Sequence, residues 1–282
     1  MKIAIFYFTG TGNTEFIAKE LKRALGNENP TELFSIEFFV KGVSQSHLSQ
    51  FDFLILGAPV YAFNAPRIFI NFLKRLPKGD GKRVMLFLDA GGDALAGLAY
   101  PSRLLGNKGY NVTNQAVFFM PANLWLETVD KTNGIITANL FGWRYQQNVK
   151  EMLELSRVKI QATVNKILKG EPTSFPTSFF TQHISIGAWF IYAYLGCPTF
   201  KYFIRTNQAC NLCGICISTC PTNNIRIEKS KVIFGSACTM CYRCINVCPK
   251  LAISFRSPFG FMDNKAQYLC SDWKVPIHEN RI

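Results

Sequence analysis

Long apolar runs are missing from this 282-residue sequence. The most nearly uninterrupted one, SIGAWFIYAYLGC at 185–197, falls short of the roughly 18 to 20 residues that a bilayer-crossing helix needs. The opening run, MKIAIFYF, leads straight into a glycine turn without a small-residue cleavage site, so no signal peptide is expected. Absent too are a nicotinamide fingerprint and any cluster of acid/base residues, which counts against a self-contained hydride-transfer or hydrolytic enzyme. Acidic residues are scarce, 18 against 31 Lys and Arg, for a net charge of +13. Such an excess suits nucleic acid or an anionic membrane when it is concentrated. Here it is spread as +4, +4 and +5 over residues 1–120, 121–206 and 207–282, and no nucleic-acid partner is expected. With 48% hydrophobic and 17% charged residues, the composition is that of a globular protein, and the length suits two domains.

What the sequence does have is cysteine in a pattern. Eight of the ten cysteines lie in two runs, ACNLCGICISTCP (209–221) and CTMCYRCINVCP (238–249). In each, three cysteines at two-residue gaps can wrap one cube of iron and sulfur, while the fourth, four residues on and before a proline, has left that loop. Each run can lend its last cysteine to the other. Cys210, Cys213, Cys216 and Cys248 then hold one [4Fe-4S] cluster, and Cys238, Cys241, Cys244 and Cys220 hold the second. The repeat, offset by 28 positions, extends beyond the ligands, since Ile217 matches Ile245, Ile225 matches Ile253 and Ile227 matches Phe255. Zinc ribbons use paired cysteines across a longer loop. Disulfides are disfavoured because nothing suggests export; a cytoplasmic, or another reducing and anaerobic, compartment is expected. The other two, Cys197 and Cys270, read as buried thiols. The arrangement resembles the bacterial-type two-cluster ferredoxins over residues 207–256.

The first half reads as strand, glycine turn and helix: KIAIFYF, then Thr9, Gly10, Thr11, Gly12, Asn13 and Thr14, then apolar Ile17, Ala18, Leu21 and Leu25 at helical spacing. Backbone N–H groups and hydroxyls at a helix N-terminus can receive a single phosphate without a lysine. Further strand-like runs at 32–38, 51–60, 83–91 and 111–121 alternate with helical stretches. That alternation predicts a parallel sheet covered on both faces, with a ligand beyond the strand carboxyl ends. The T-x-T-G-N-T turn resembles the FMN-phosphate loop of flavodoxins. The resemblance implies FMN as cofactor and a ring flanked by Pro59, Val60, Tyr61, Ala62, Phe63 and Asn64 on one side and Ala90, Gly91, Gly92 and Asp93 on the other. Tyr61 would stack on the ring, and Asn64 or nearby backbone groups would meet its polar edge. The third loop departs from the family in having no aromatic, which leaves one flavin face less shielded, or covered by Phe63, Trp125 or the second domain.

The implied fold is α/β, a flavodoxin-like doubly wound parallel sheet followed by a small α+β ferredoxin-like two-cluster domain. The boundaries are 1–170 for the FMN domain, 171–206 for an apolar connector, 207–256 for the cluster domain and 257–282 for a C-terminal extension. A last sheet-covering helix is expected within 145–170, ended by Gly170 and Pro172. The connector reads as a packing helix; a peripheral membrane contact anchored by Lys201 and Arg205 is a second, unfavoured reading. Together the halves resemble the ferredoxin–flavodoxin fusion proteins of anaerobes. The resemblance implies an electron carrier serving a redox partner protein, with reduction of a small acceptor such as a quinone, disulfide or nitro compound as the alternative. Eight thiolates and a flavin phosphate would absorb much of the positive charge, leaving about +7.

Overall fold

A computed structural model describes residues 1–39, 42–124, 126–140, 143–255 and 265–278. The chain divides into two compact units: Met1–Thr9, Asn13–Met120 and Leu153–Phe190 form the first, and Gly10–Gly12, Pro121–Met152 and Ile191–Ile282 the second.

In the first unit, β1 (Ile3–Tyr7), β2 (Thr31–Ser35), β3 (Phe53–Pro59), β4 (Arg83–Ala90) and β5 (Asn111–Phe119) form one sheet in the order β2-β1-β3-β4-β5. Each neighbouring pair is parallel. Helices α1 (Asn13–Leu25), α2 (Gln45–Leu48), α3 (Arg67–Arg75) and α4 (Ala99–Asn107) fall between the strands. Ile3, Ala4, Ile5 and Phe6 on β1 and Leu54, Ile55 and Leu56 on β3 are fully buried. The central strands are therefore apolar at consecutive positions, as a sheet covered on both faces requires. The four apolar positions of α1, Ile17, Ala18, Leu21 and Leu25, are all buried against it. This is the flavodoxin-like α/β fold expected from the sequence, with its ligand edge at the strand carboxyl ends.

Gly57 on β3 shows how tightly that core is filled, because a Cβ there would stand 2.0 Å from the ring of buried Phe87. Gly57→Ala is expected to lower stability by about 1–3 kcal/mol through overpacking. The check is a drop in the apparent melting midpoint; an unchanged midpoint would mean that the Phe87 ring yields freely.

The second unit opens with an antiparallel meander that the sequence did not suggest: β6 (Leu126–Asp130), β7 (Ile135–Leu140) and β8 (Trp143–Asn148). The helix placed at 145–170 is corrected accordingly. Residues 143–148 pair with β7, and α5 runs over Val149–Leu168. Asn148 marks the change, its side-chain oxygen accepting from Glu151 N at 3.2 Å in the manner of an N-cap.

The connector is helical. Helix α6 (Phe179–Ile191) is followed by a π-helical turn at Tyr192–Gly196 and by α7 (Cys197–Thr199). Within the first unit, Ser185 Oγ donates to Phe63 O (2.6 Å) and the indole of buried Trp189 donates to Ala65 O (2.7 Å). Within the second, Tyr192 OH donates to Thr239 O (2.6 Å). Phe180 and Ile184 in the first unit, and Tyr194 and Leu195 in the second, remain exposed. Among the described residues no helix is long and apolar enough to cross a membrane.

The cysteine region contains two short antiparallel pairs, β9 (Ile204–Thr206) with β12 (Ile253–Phe255) and β10 (Ile225–Glu228) with β11 (Lys231–Phe234). Two one-turn helices, α8 (Ile215–Ser218) and α9 (Arg243–Asn246), complete it. The 28-residue repeat is built into the backbone. Leu212 and Met240, Gly214 and Tyr242, and Asn223 and Leu251 all take positive φ at corresponding positions. Only one of these six is glycine, so the conformation is imposed by the surrounding structure and not by residue preference.

Candidate cofactor sites

The eight run cysteines separate into two sets of four. Cys210, Cys213, Cys216 and Cys248 line one cavity, together with Leu212, Ile215, Ile217 and Ile253. Cys220, Cys238, Cys241 and Cys244 line another with Phe200, Phe234 and Tyr242. Each set takes three cysteines from one run and the last from the other. The last cysteines are equivalent in a further respect: Asn224 N donates to Cys220 Sγ and Ala252 N to Cys248 Sγ, both at 3.3 Å.

Among the described residues no group of three or more His, Cys, Asp or Glu is gathered closely enough to hold one metal ion. Thiols around a polynuclear cluster stand apart by the size of the cluster itself, and these quartets surround cavities, not a point. Burial pushes the Cys216 thiol up to about 11, with Cys213, Cys248 and Cys210 adding to the effect. Burial likewise raises Cys238 and Cys244 well above the usual range, reinforced by the other cysteines of their quartet. Cys197, in α7, is fully buried and contributes to the field at Cys238; Cys270 is buried as well.

The loops at which the sequence places a flavin leave the carboxyl ends of β1, β3 and β4. Thr9, Asn13 and Thr14 are buried, and the first-turn N–H groups of α1 have no intrahelical acceptor. A helix N-terminus favours an anion such as a phosphate. Thr14 Oγ1 donates to Asp89 Oδ1 at 2.5 Å, while Asp89 O accepts from Val60 N at 2.7 Å. Burial raises the Asp89 carboxyl to about 7 against the opposing effect of the Thr14 hydrogen bond. In the second loop, Pro59 is buried, and Tyr61 N donates to Asn64 O across a turn in which Ala62 and Phe63 have φ of 49° and 64°. Val60, Tyr61 and Ala62 are half-buried and Phe63 is exposed. Asn64 is fully buried: its Oδ1 accepts from Ala65 N (2.8 Å) and its Nδ2 donates to Ser185 Oγ (3.5 Å). In the third loop Ala90 is buried and Gly91, Gly92 and Asp93 are exposed, Asp93 accepting from Leu95 N. Trp125 lies outside the described residues.

The middle of the Thr9–Thr14 turn, Gly10–Gly12, groups with the second unit. Gly10 O accepts from Arg243 Nε (3.2 Å), Thr11 O from Cys270 N (2.8 Å) and Thr11 Oγ1 from Asn123 Nδ2 (3.0 Å). Gly12 has φ of +101°, and a Cβ there would lie 2.7 Å from Trp273 Cβ and 2.9 Å from Cys270 Cβ, so both conformation and space demand glycine. Arg243, Asn123, Cys270 and Trp273 are the neighbours that motif reading missed. The only local hint in the sequence is an arginine set between two cluster cysteines.

Residues 4–91 match the family model described as a flavodoxin domain, and residues 202–255 match the one described as a 4Fe-4S dicluster domain. No curated protein matches the chain. Among solved structures, the chain is similar to a flavodoxin from Fusobacterium nucleatum bound to flavin mononucleotide, at 19% identity over 60% of this chain and 98% of that one, with a TM-score of 0.39. It is also similar to the two-electron reduced flavodoxin of Megasphaera elsdenii (25% identity, 41% and 84% covered, TM-score 0.37). A third is oxidised flavodoxin 2 of Bacillus cereus (19% identity, 59% and 99% covered, TM-score 0.40).

Proposed function

We propose that the protein is an electron-transfer protein that passes electrons between FMN and two [4Fe-4S] clusters within one chain and on to a redox partner protein. The observation that carries this reading is the sorting of the eight cysteines into two cavity-lining quartets, each completed by the other run's last cysteine, in a chain whose other half has a flavodoxin fold. A flavin exchanges one or two electrons and each cluster one at a time, so their combination converts between the two modes. The chain's own residues bind and tune. The N–H groups of the Thr9–Thr14 turn would receive the phosphate, Tyr61 would stack on the ring, and the quartets would ligate iron. Asn224 N and Ala252 N, donating to Cys220 and Cys248, would draw charge from those sulfurs and favour the reduced cluster. No side chain is asked to act as nucleophile. Such clusters call for a reducing, oxygen-poor compartment.

The exposure of Gly91, Gly92 and Asp93 favours a second reading, in which an open flavin face reduces a small acceptor. Protein purified anaerobically is expected to contain about eight iron, about eight acid-labile sulfides and one non-covalent FMN per chain. Photoreduced flavin should then pass electrons to a cluster at a rate independent of protein concentration. Zinc in place of iron, or a chain that takes up no flavin, would refute the proposal, and fast steady-state turnover of a quinone without a protein acceptor would favour the second reading.

A further inference from the structure

Arg243 lies between Cys241 and Cys244 in the second cysteine run, at the start of α9, and is completely buried. A guanidinium so far from water is held only by acceptors aimed at it. Its Nε donates to Gly10 O at 3.2 Å, its Nη1 to Thr219 O at 2.8 Å, and its Cζ lies 5.4 Å from the centre of the Trp273 ring. The first carbonyl belongs to the phosphate turn. The second belongs to the residue before Cys220, the cysteine that joins the opposite quartet.

Both contacts have directional consequences. In a planar trans peptide the C=O and the following N–H point in opposite directions, so holding Gly10 O toward Arg243 turns the N–H of Thr11 the other way. Cys270 N, donating to Thr11 O at 2.8 Å, does the same for the N–H of Gly12. The two peptide planes of the turn are thereby both fixed, and the Thr11 N–H is directed away from Arg243. At the other carbonyl, the contact fixes the peptide plane from which Cys220 projects.

We infer that Arg243 is a positioning residue for both cofactors, presenting the Thr11 N–H of the Gly10–Gly12 turn to the FMN phosphate and setting Cys220 within its quartet. The inference rests on the FMN and cluster reading above. It explains why a cluster loop carries a buried cation, whose positive charge would also make the neighbouring cluster easier to reduce.

The test compares Arg243→Gln, Arg243→Lys and, as a control, the exposed Arg226→Gln, each with clusters loaded and flavin stripped. Dissociation constants for FMN and for riboflavin, which lacks the phosphate, are measured by flavin fluorescence. Midpoint potentials are measured by EPR-monitored titration. Arg243→Gln should weaken FMN about tenfold while leaving riboflavin affinity unchanged, and should lower one cluster potential. Arg243→Lys, the milder change if the glutamine variant does not fold, should restore most of the potential but not the ratio of FMN to riboflavin affinity. An unchanged affinity ratio in Arg243→Lys overturns the inference alone, whereas a wild-type chain that binds riboflavin as tightly as FMN overturns the phosphate reading of the turn itself.

Discussion

Replacing Cys220 by alanine is expected to remove the cluster of Cys238, Cys241 and Cys244, although Cys220 belongs to the other run. Cys220 shares a cavity with those three and not with its sequence neighbours Cys213 and Cys216. The alanine would leave a three-thiolate set in an apolar cavity, with Asn224 N deprived of its sulfur acceptor. Iron should fall from about eight to about four per chain, and one of the two reduced-cluster EPR signals should vanish. Cys248→Ala should produce the converse loss. If Cys220→Ala instead destroys only the cluster of Cys210, Cys213 and Cys216, each run holds its own cluster and the exchanged assignment is wrong.

The legibility of this arrangement in the sequence was uneven, for physical reasons. Cysteine spacing is informative because a thiolate ligand has few substitutes, so the pattern of eight pointed to two quartets before any backbone was considered. The parallel sheet was legible because strands buried on both faces must be apolar at every position, as in the run FLILGAP over β3. The meander β6–β8 was not. Its exposed residues, such as Asp130 and Arg144, mix with short apolar pairs, and nothing in 126–148 has a clear period of two. Left-handed backbone at Met240 and Tyr242 was also invisible, because these side chains signal packing and not turns. Arg243 was hidden by distance along the chain: its acceptor Gly10 lies 233 positions away, and no local pattern reports a contact of that separation. Asn64 presents the same problem. The family resemblance placed Asn64 or nearby backbone groups at the flavin edge; the structure adds that its side chain is engaged with Ala65 N and with Ser185 Oγ, 121 positions away, a contact that no local pattern reports.

Asp89 should make the stability of the protein fall as pH rises. Its carboxyl is buried at the end of β4, beside Thr14 Oγ1, and burial raises it from an ordinary value of 3.8 to about 7. Between those two values the folded chain keeps a proton that the unfolded chain has released, so the folded state binds more protons and loses stability with increasing pH. The loss begins near pH 4, grows through the acid range and levels off above about pH 7, where the folded state must carry a buried carboxylate. A rise of this size corresponds to about 4 kcal/mol at the plateau. Asp89→Asn removes the titrating proton and keeps an oxygen to accept from Thr14. The variant should therefore match the wild type near pH 4, gain on it between pH 4 and pH 7, and exceed it by a constant margin beyond. In a domain of this size each kcal/mol moves the melting midpoint by about 2 to 4 °C, so paired scans at pH 5 and pH 8, at one scan rate, suffice to detect it. Only the difference between the two proteins is diagnostic, because other groups titrate in both. A difference that does not change between pH 5 and pH 8 would show that Asp89 is already ionised in the folded protein at pH 5. In that case the buried hydrogen bond from Thr14, together with whatever else reaches the carboxylate, would outweigh desolvation.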